Sequence, residues 1–77
     1  MSVSVLTFGE VADIVNTSSF SMDDVADVAS FKQILEAKFP KLKEIKYAVA
    51  VNKNIVSDNI SLEDGSVLAL LPPFSGG

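Results

Sequence analysis

Gly76 and Gly77 close the sequence, and a carboxyl group is the only chemistry such an end can offer. A free terminal carboxylate, expected on Gly77, has a pKa of about 3.5 and is anionic near neutral pH. In that form it is a poor electrophile. It becomes reactive when a second enzyme joins it to phosphate as a mixed anhydride. Two residues without Cβ can thread a channel too narrow for any other residue. The stretch "LPPFSGG", residues 71–77, surrounds this end with a specific order of parts. Leu71 precedes a proline and is pushed to extended geometry. Pro72 and Pro73 cannot donate to a sheet, so strand pairing should stop there. They favour a stiff polyproline path that aims the tail. Phe74 offers one apolar anchor, and Ser75 and Gly76 are the residues that would have to pass such a channel with the terminus. The six residues from Pro72 span about 20 Å when extended.

The rest of the chain has few competing tools. It contains no cysteine, hence no disulfide, thiolate ligand or thiol nucleophile. It contains no histidine, the usual neutral-pH acid/base and the commonest metal ligand. Its serines have no obvious base, so no side-chain active site is expected. Asp23, Asp24 and Asp27 cluster but do not follow the calcium-loop spacing. An N-cap within a solvated acidic turn is the expected reading, and no metal site is expected. Lys53, between two asparagines, reads as a solvated turn lysine.

Ten acidic residues against six lysines give a net charge of −4. Phosphate binding wants a basic face, so nucleic acid is not an expected partner. A basic protein surface fits better. No apolar run approaches the roughly 18 residues needed to span a bilayer. "MSVSVLTF" lacks a charged n-region and a cleavage site, so no signal peptide is expected. The expectation is a cytoplasmic protein with no membrane partner.

The elements that must position the tail can be read from periodicity. Seventy-seven residues make one small domain. A domain this size buries about 60% of its unfolded surface, which demands an apolar-rich chain, and 48% of these residues are hydrophobic. Residues 3–8 alternate and predict a strand. "GEVADIV" places Val11, Ile14 and Val15 at helical spacing. "NTSSFSM" predicts a second strand centred on Phe20. Residues 27–39 predict the main helix, with Asp27 as N-cap. Phe31, Ile34, Leu35 and Phe39 share one face, and Pro40 ends the helix. A strand over about 46–51, a turn at 52–54, a short strand "IVS", a turn with Gly65 at positive φ, and a last strand at 66–71 complete the order. The prediction is an α+β domain over residues 1–71, followed by an extended tail over 72–77.

"YAVAV" and "VLALL" are apolar without interruption, so both faces of these strands carry apolar side chains. One long helix covers one face. The other face then stays partly exposed or is covered by a partner, as a contact surface, or is closed by short loops and the small helix.

The residues "VAVNKNIV" and "LEDGSVLALLPPFSGG", with "VSVLTFGEVADIV" at the other end, resemble the small-subunit family of molybdopterin synthase. The likeness covers essentially the whole chain. Pro-Pro-x-x-Gly-Gly after a "DG" turn is its most specific part. The resemblance implies a β-grasp, ubiquitin-like fold: a mixed sheet packed against one main helix. It implies that an E1-like adenylyltransferase spends ATP to adenylate Gly77, and that a sulfur donor protein then makes a thiocarboxylate. It implies that the tail enters the active site of the large synthase subunit, in a heterotetramer. There the sulfur would pass to cyclic pyranopterin monophosphate, in molybdenum cofactor biosynthesis. The small subunit is then not an enzyme on its own, binds no cofactor, and leaves the catalytic side chains to its partner. By position, Gly77 carries sulfur and Gly76 gives it passage. Phe74, Pro73, Pro72, Leu71, Phe8 and Ile55 match the partner-binding positions. A carrier without cysteine cannot hold sulfur as a persulfide, so the carboxyl carbon is the remaining place.

Two departures stand out. Family members often carry Arg in the short helix, where this chain reads "EVADIV", and Asp after "DG", where this chain has Ser66. The alternatives are a sulfur carrier of the thiamin or tungsten-cofactor pathway and a ubiquitin-like protein modifier. Pro-Pro before the tail argues against the thiamin type.

Overall fold

The structure is a computed structural model, and it describes residues 1–72. Five strands form one mixed sheet: β1 (Ser2–Thr7), β2 (Ser19–Asp23), β3 (Ala48–Val51), β4 (Asn54–Val56) and β5 (Val67–Leu71). Their spatial order is β2-β1-β5-β3-β4. The first and last strands in sequence, β1 and β5, run parallel at the centre, with Val5 beside Leu68 and Thr7 beside Leu70. The other pairings are antiparallel. The helices are α1 (Gly9–Val15) and α2 (Val28–Lys38), followed by a 3-10 turn at Pro40–Glu44.

Alternation in β1 sends Val3, Val5 and Thr7 inward and Ser2, Ser4 and Leu6 outward. The inward set meets Leu68 and Leu70 from β5 and Val49 and Val51 from β3. Phe31 and Leu35 of α2 close over them, and both are fully buried. Burying side chains of this size contributes about 1.5–3 kcal/mol each. Thr7 is a buried polar residue on this face, and its hydroxyl donates to the Thr17 carbonyl.

The predicted start and stop of α2 hold. Asp27 is extended, and its Oδ1 accepts from the Ser30 N–H at 2.8 Å. Phe39 leaves the helical region at φ −128°, as the following proline requires. Ile34 departs from expectation: it is 40% exposed rather than part of the buried stripe with Phe31 and Leu35. The strand expected over 46–51 begins at Ala48. Before it, the 3-10 turn carries Leu42 into the core, where it is 1% exposed. Asn54, expected in a turn, pairs with Val51 as the first residue of β4. The turn is therefore only Asn52–Lys53, both at positive φ, which is the type I′ geometry of a two-residue hairpin. Gly65 has φ +85°, as expected for its turn.

Candidate functional site: the open sheet face and the base of the tail

The parallel pairing of β1 and β5 decides where the tail starts. The Phe8 N–H donates to the Leu70 carbonyl at 3.1 Å, so the ladder extends one step past β1. One residue further on, β5 ends at Leu71. Pro72 then lies against Gly9, which has φ +59°. A Cβ on Gly9 would sit 3.4 Å from Pro72 Cγ. The base of the tail is thus seated on the strand-to-helix turn between β1 and α1. Gly9 was not singled out in the sequence, although a glycine between a strand and a helix is the signal that marks such a turn.

The outward positions of the sheet form the expected open face. Leu6, Ala69, Ala50 and Ile55 stand in one row across β1, β5, β3 and β4. Val67 lies before that row on β5, and Leu71 lies after it, paired with Ala48. Phe8 continues the outward alternation of Leu6. Exposure confirms the pattern: Leu6 37%, Phe8 45%, Ile55 62% and Val67 40%. α2 and Leu42 pack into the core on the opposite face; within the row, Ala50 is itself buried at 4% exposure and Ala69 is half-buried. The face changes character toward β2. There Ser2, Ser4, Ser19 and Ser21 are all exposed, with Ser4 opposite Ser21. The apolar half therefore converges on the tail base and the hydroxyl half lies away from it.

Of the site residues expected from sequence, Phe8, Ile55 and Leu71 share this face, and Pro72 stands at its end. Pro73, Phe74, Ser75, Gly76 and Gly77 lie outside the described residues.

The remaining polar residues have structural partners. The first-turn N–H groups of α2 are shared among three acceptors: Val28 donates to the Ile60 carbonyl, Ala29 to Asn59 Oδ1 at 2.7 Å, and Ser30 to Asp27. Asn59 is a second cap that sequence spacing alone does not reveal. The Ser30 backbone N–H holds the Asp27 carboxyl below its ordinary pKa, helped by the Ser30 side chain and the Asn59 amide. Asp27 thus serves as the N-cap expected of it. No group of three or more acidic side chains is arranged to hold a metal among the described residues. Ser66 is buried and closes its own turn. Its Oγ accepts from the Glu63 N–H at 3.0 Å, and its N–H donates back to the Glu63 carbonyl. Tyr47 donates to Glu36 Oε2 at 2.6 Å, while Lys32 sits 5.4 Å from its ring centre. Burial, reinforced by Glu36, pushes the Tyr47 hydroxyl well above its ordinary pKa. No helix among the described residues is long and apolar enough to cross a membrane.

A mixed five-strand sheet with a central parallel pair and one long helix across it defines a ubiquitin-like β-grasp domain. The superposition on solved structures agrees. A molybdopterin converting factor subunit 1 from Pyrococcus furiosus, described as putative, matches with a TM-score of 0.88 at 22% identity, covering 96% of this chain and 99% of that one. The small archaeal modifier protein SAMP1 from Haloferax volcanii matches at 0.78 and 22% identity over the whole of both chains. At these identities the likeness concerns the fold. A complex of subunits 1 and 2 of the molybdopterin-converting factor from Helicobacter pylori matches at 0.74 and 30% identity, over the whole of both chains. In sequence, the molybdopterin synthase sulfur carrier subunit of Escherichia coli is 31% identical over 97% of this chain and 99% of its own length. The model of the ThiS family matches residues 5–77, and the chain belongs to that family.

Proposed function

We propose that this chain is the sulfur-carrier small subunit of a molybdopterin synthase and that Gly77 is the group it carries sulfur on. One observation bears most of the weight. The exposed apolar residues Leu6, Phe8 and Ile55, with the half-buried Leu71, converge on the point where Pro72 leaves the sheet against Gly9. A partner seated on that patch receives the tail directly. The sulfur-carrier subunit similar over nearly the full chain supports the same reading. So does the Helicobacter pylori assembly, in which a similar chain is paired with a second subunit.

In this reading the domain over residues 1–71 is the handle, and residues 72–77 are the working part. An activating enzyme transfers AMP from ATP to the Gly77 carboxylate and releases pyrophosphate. Hydrosulfide released by a donor protein then attacks the carboxyl carbon, displaces AMP and leaves a thiocarboxylate. The large subunit binds the apolar face, Phe74 seats the tail, and Gly76 and Ser75 pass through the narrow approach to its active site. The acceptor there is cyclic pyranopterin monophosphate. The catalytic side chains belong to the large subunit, and the small one contributes reach and the reactive carbon.

The test is a reconstitution with activating enzyme, ATP, sulfur donor, large subunit and precursor. Removing Gly76 and Gly77 should abolish product formation while leaving the melting temperature unchanged, because both residues lie beyond β5. Product formed at the normal rate by the truncated chain refutes the reading. Isopeptide-linked species in place of product would assign the chain to protein modification instead.

A further inference from the structure

The opposite flank of the domain carries a second surface. Among the described strands β2 is an edge, paired with β1 alone. Its register with β1 and the bonds from Thr7 N–H to the Ser18 carbonyl and from Asp24 N–H to the Met1 carbonyl fix the ladder phase. By the alternation of an antiparallel pair, Phe20 and Met22 bond to β1, whereas the N–H and C=O groups of Ser19, Ser21 and Asp23 point outward. One of these three is guarded. The Thr17 hydroxyl donates to the Ser19 carbonyl at 2.9 Å and lies 3.4 Å from the Ser19 N–H. Ser21 and Asp23 keep an open edge.

Beside that edge, between β2 and α2, lies an apolar groove of about 230 Å³. Val15, Phe20, Met22, Leu35 and Phe39 line it. Phe20, Met22 and Phe39 are only half-buried. The groove carries a cation at one end, and the strand beside it ends in acidic residues at the other. α2 follows β2 after a four-residue connection and doubles back, so its last residue, Lys38, shares the groove with Val15 and Thr17, near the start of β2. Asp23 and Asp24 stand at the other end of the strand.

An open edge beside an apolar groove is the geometry of strand addition, in which main-chain bonds give affinity and alternate side chains give specificity. We propose that β2 and α2 form a docking site for an extended peptide segment of a partner protein. The segment is apolar at alternate positions, begins with a cation and ends with a carboxylate. Running antiparallel to β2, it sets its cation beside Asp23 and Asp24 and its carboxylate beside Lys38. A second copy of this chain fits less well. An antiparallel β2–β2 pair centred on Ser21 would need Ser19 opposite Asp23 of the other copy, and Thr17 already occupies the Ser19 groups. The site lies on the helix side of the sheet, so it is independent of the face assigned to the large subunit.

The experiment is a titration of the full ¹⁵N-labelled chain with the capped synthetic peptide Lys-Thr-Ile-Thr-Ile-Thr-Glu, followed by amide shifts. A charge-swapped peptide, with Glu first and Lys last, is run in parallel. Expected are saturable shifts at Ser21–Asp23 and in the last turn of α2, with the first peptide binding about five-fold tighter than the second, as two exposed charge pairs allow. Lys38→Glu, an exposed change that leaves the core intact, should reverse or erase that preference. Ser21→Pro removes the outward N–H and should abolish binding, since edge strands admit proline. Should that variant fail to fold, the Lys38→Glu result decides. Absence of shifts at β2, equal binding of both peptides, or shifts confined to Leu6, Phe8 and Ile55 overturns the proposal. So do β2 shifts that depend on protein concentration without peptide, which would mean self-pairing.

Discussion

Gly9→Ala tests how the tail is aimed. Gly9 sits at φ +59°, where an L-residue is strained by roughly 1–2 kcal/mol. The smaller unfolded-state entropy of alanine offsets about 0.4–1 kcal/mol of that. The added methyl would stand 3.4 Å from Pro72 Cγ, at the tight limit of ordinary contact, so it bears directly on Pro72. The net loss is about 1 kcal/mol, or about 4–8 °C in melting temperature for a domain of this size. Gly65→Ala is the control: φ is +85°, but nothing lies within 4 Å of the new methyl. Urea unfolding should show comparable losses for both variants. Only Gly9→Ala displaces the base of the tail, so it alone should also slow adenylation of Gly77 and weaken large-subunit binding. A Gly9→Ala chain as stable as wild type refutes the strain argument. One that is destabilised but reacts and binds like Gly65→Ala refutes the seating of Pro72 on Gly9.

Further outcomes follow from the same geometry. Phe8→Ala and Ile55→Ala should each weaken large-subunit binding by about 1–3 kcal/mol, as truncation of an interface anchor does. Because both side chains are already largely exposed, thermal stability should hardly change; calorimetric titration and melting curves check the two halves of that statement. Asp27→Ala should lower stability at neutral pH and flatten its acid dependence. The sign follows from a folded pKa held below the ordinary 3.8: the stabilisation is present above that value and lost as pH falls through the folded one. Asp27→Asn keeps a cap acceptor, so it should retain much of the neutral-pH stability while losing the same pH dependence.

Much of this architecture was legible in the sequence because it rests on local rules. The N-cap at Asp27, the stop before Pro40 and the positive φ at Gly65 depend on a few neighbouring residues, and all three hold. The open face was legible from one count: two strands apolar on both sides and one long helix to cover them. What was missed depends on contacts between distant parts of the chain. The 3-10 turn at Pro40–Glu44 exists because Leu42 reaches the core beneath α2, and no local period announces it. Ile34 looked like a core residue by spacing, but the helix rolls so that Phe31 and Leu35 take the centre. Asn59 caps α2 from thirty residues beyond Ala29, the residue whose N–H it accepts. Gly9 meets Pro72 only because β1 and β5 pair in parallel, which joins the two ends of the chain.

The account stands most directly on the fate of the Gly77 carboxyl group. The chain is incubated with its activating enzyme, ATP and a sulfur donor, and the intact mass and the C-terminal peptide are then measured under mild conditions. The prediction is a mass gain equal to one oxygen replaced by sulfur, localised to Gly77 and lost on transfer to the large subunit with precursor. An unmodified Gly77 under conditions where the activating enzyme consumes ATP on this chain would contradict it.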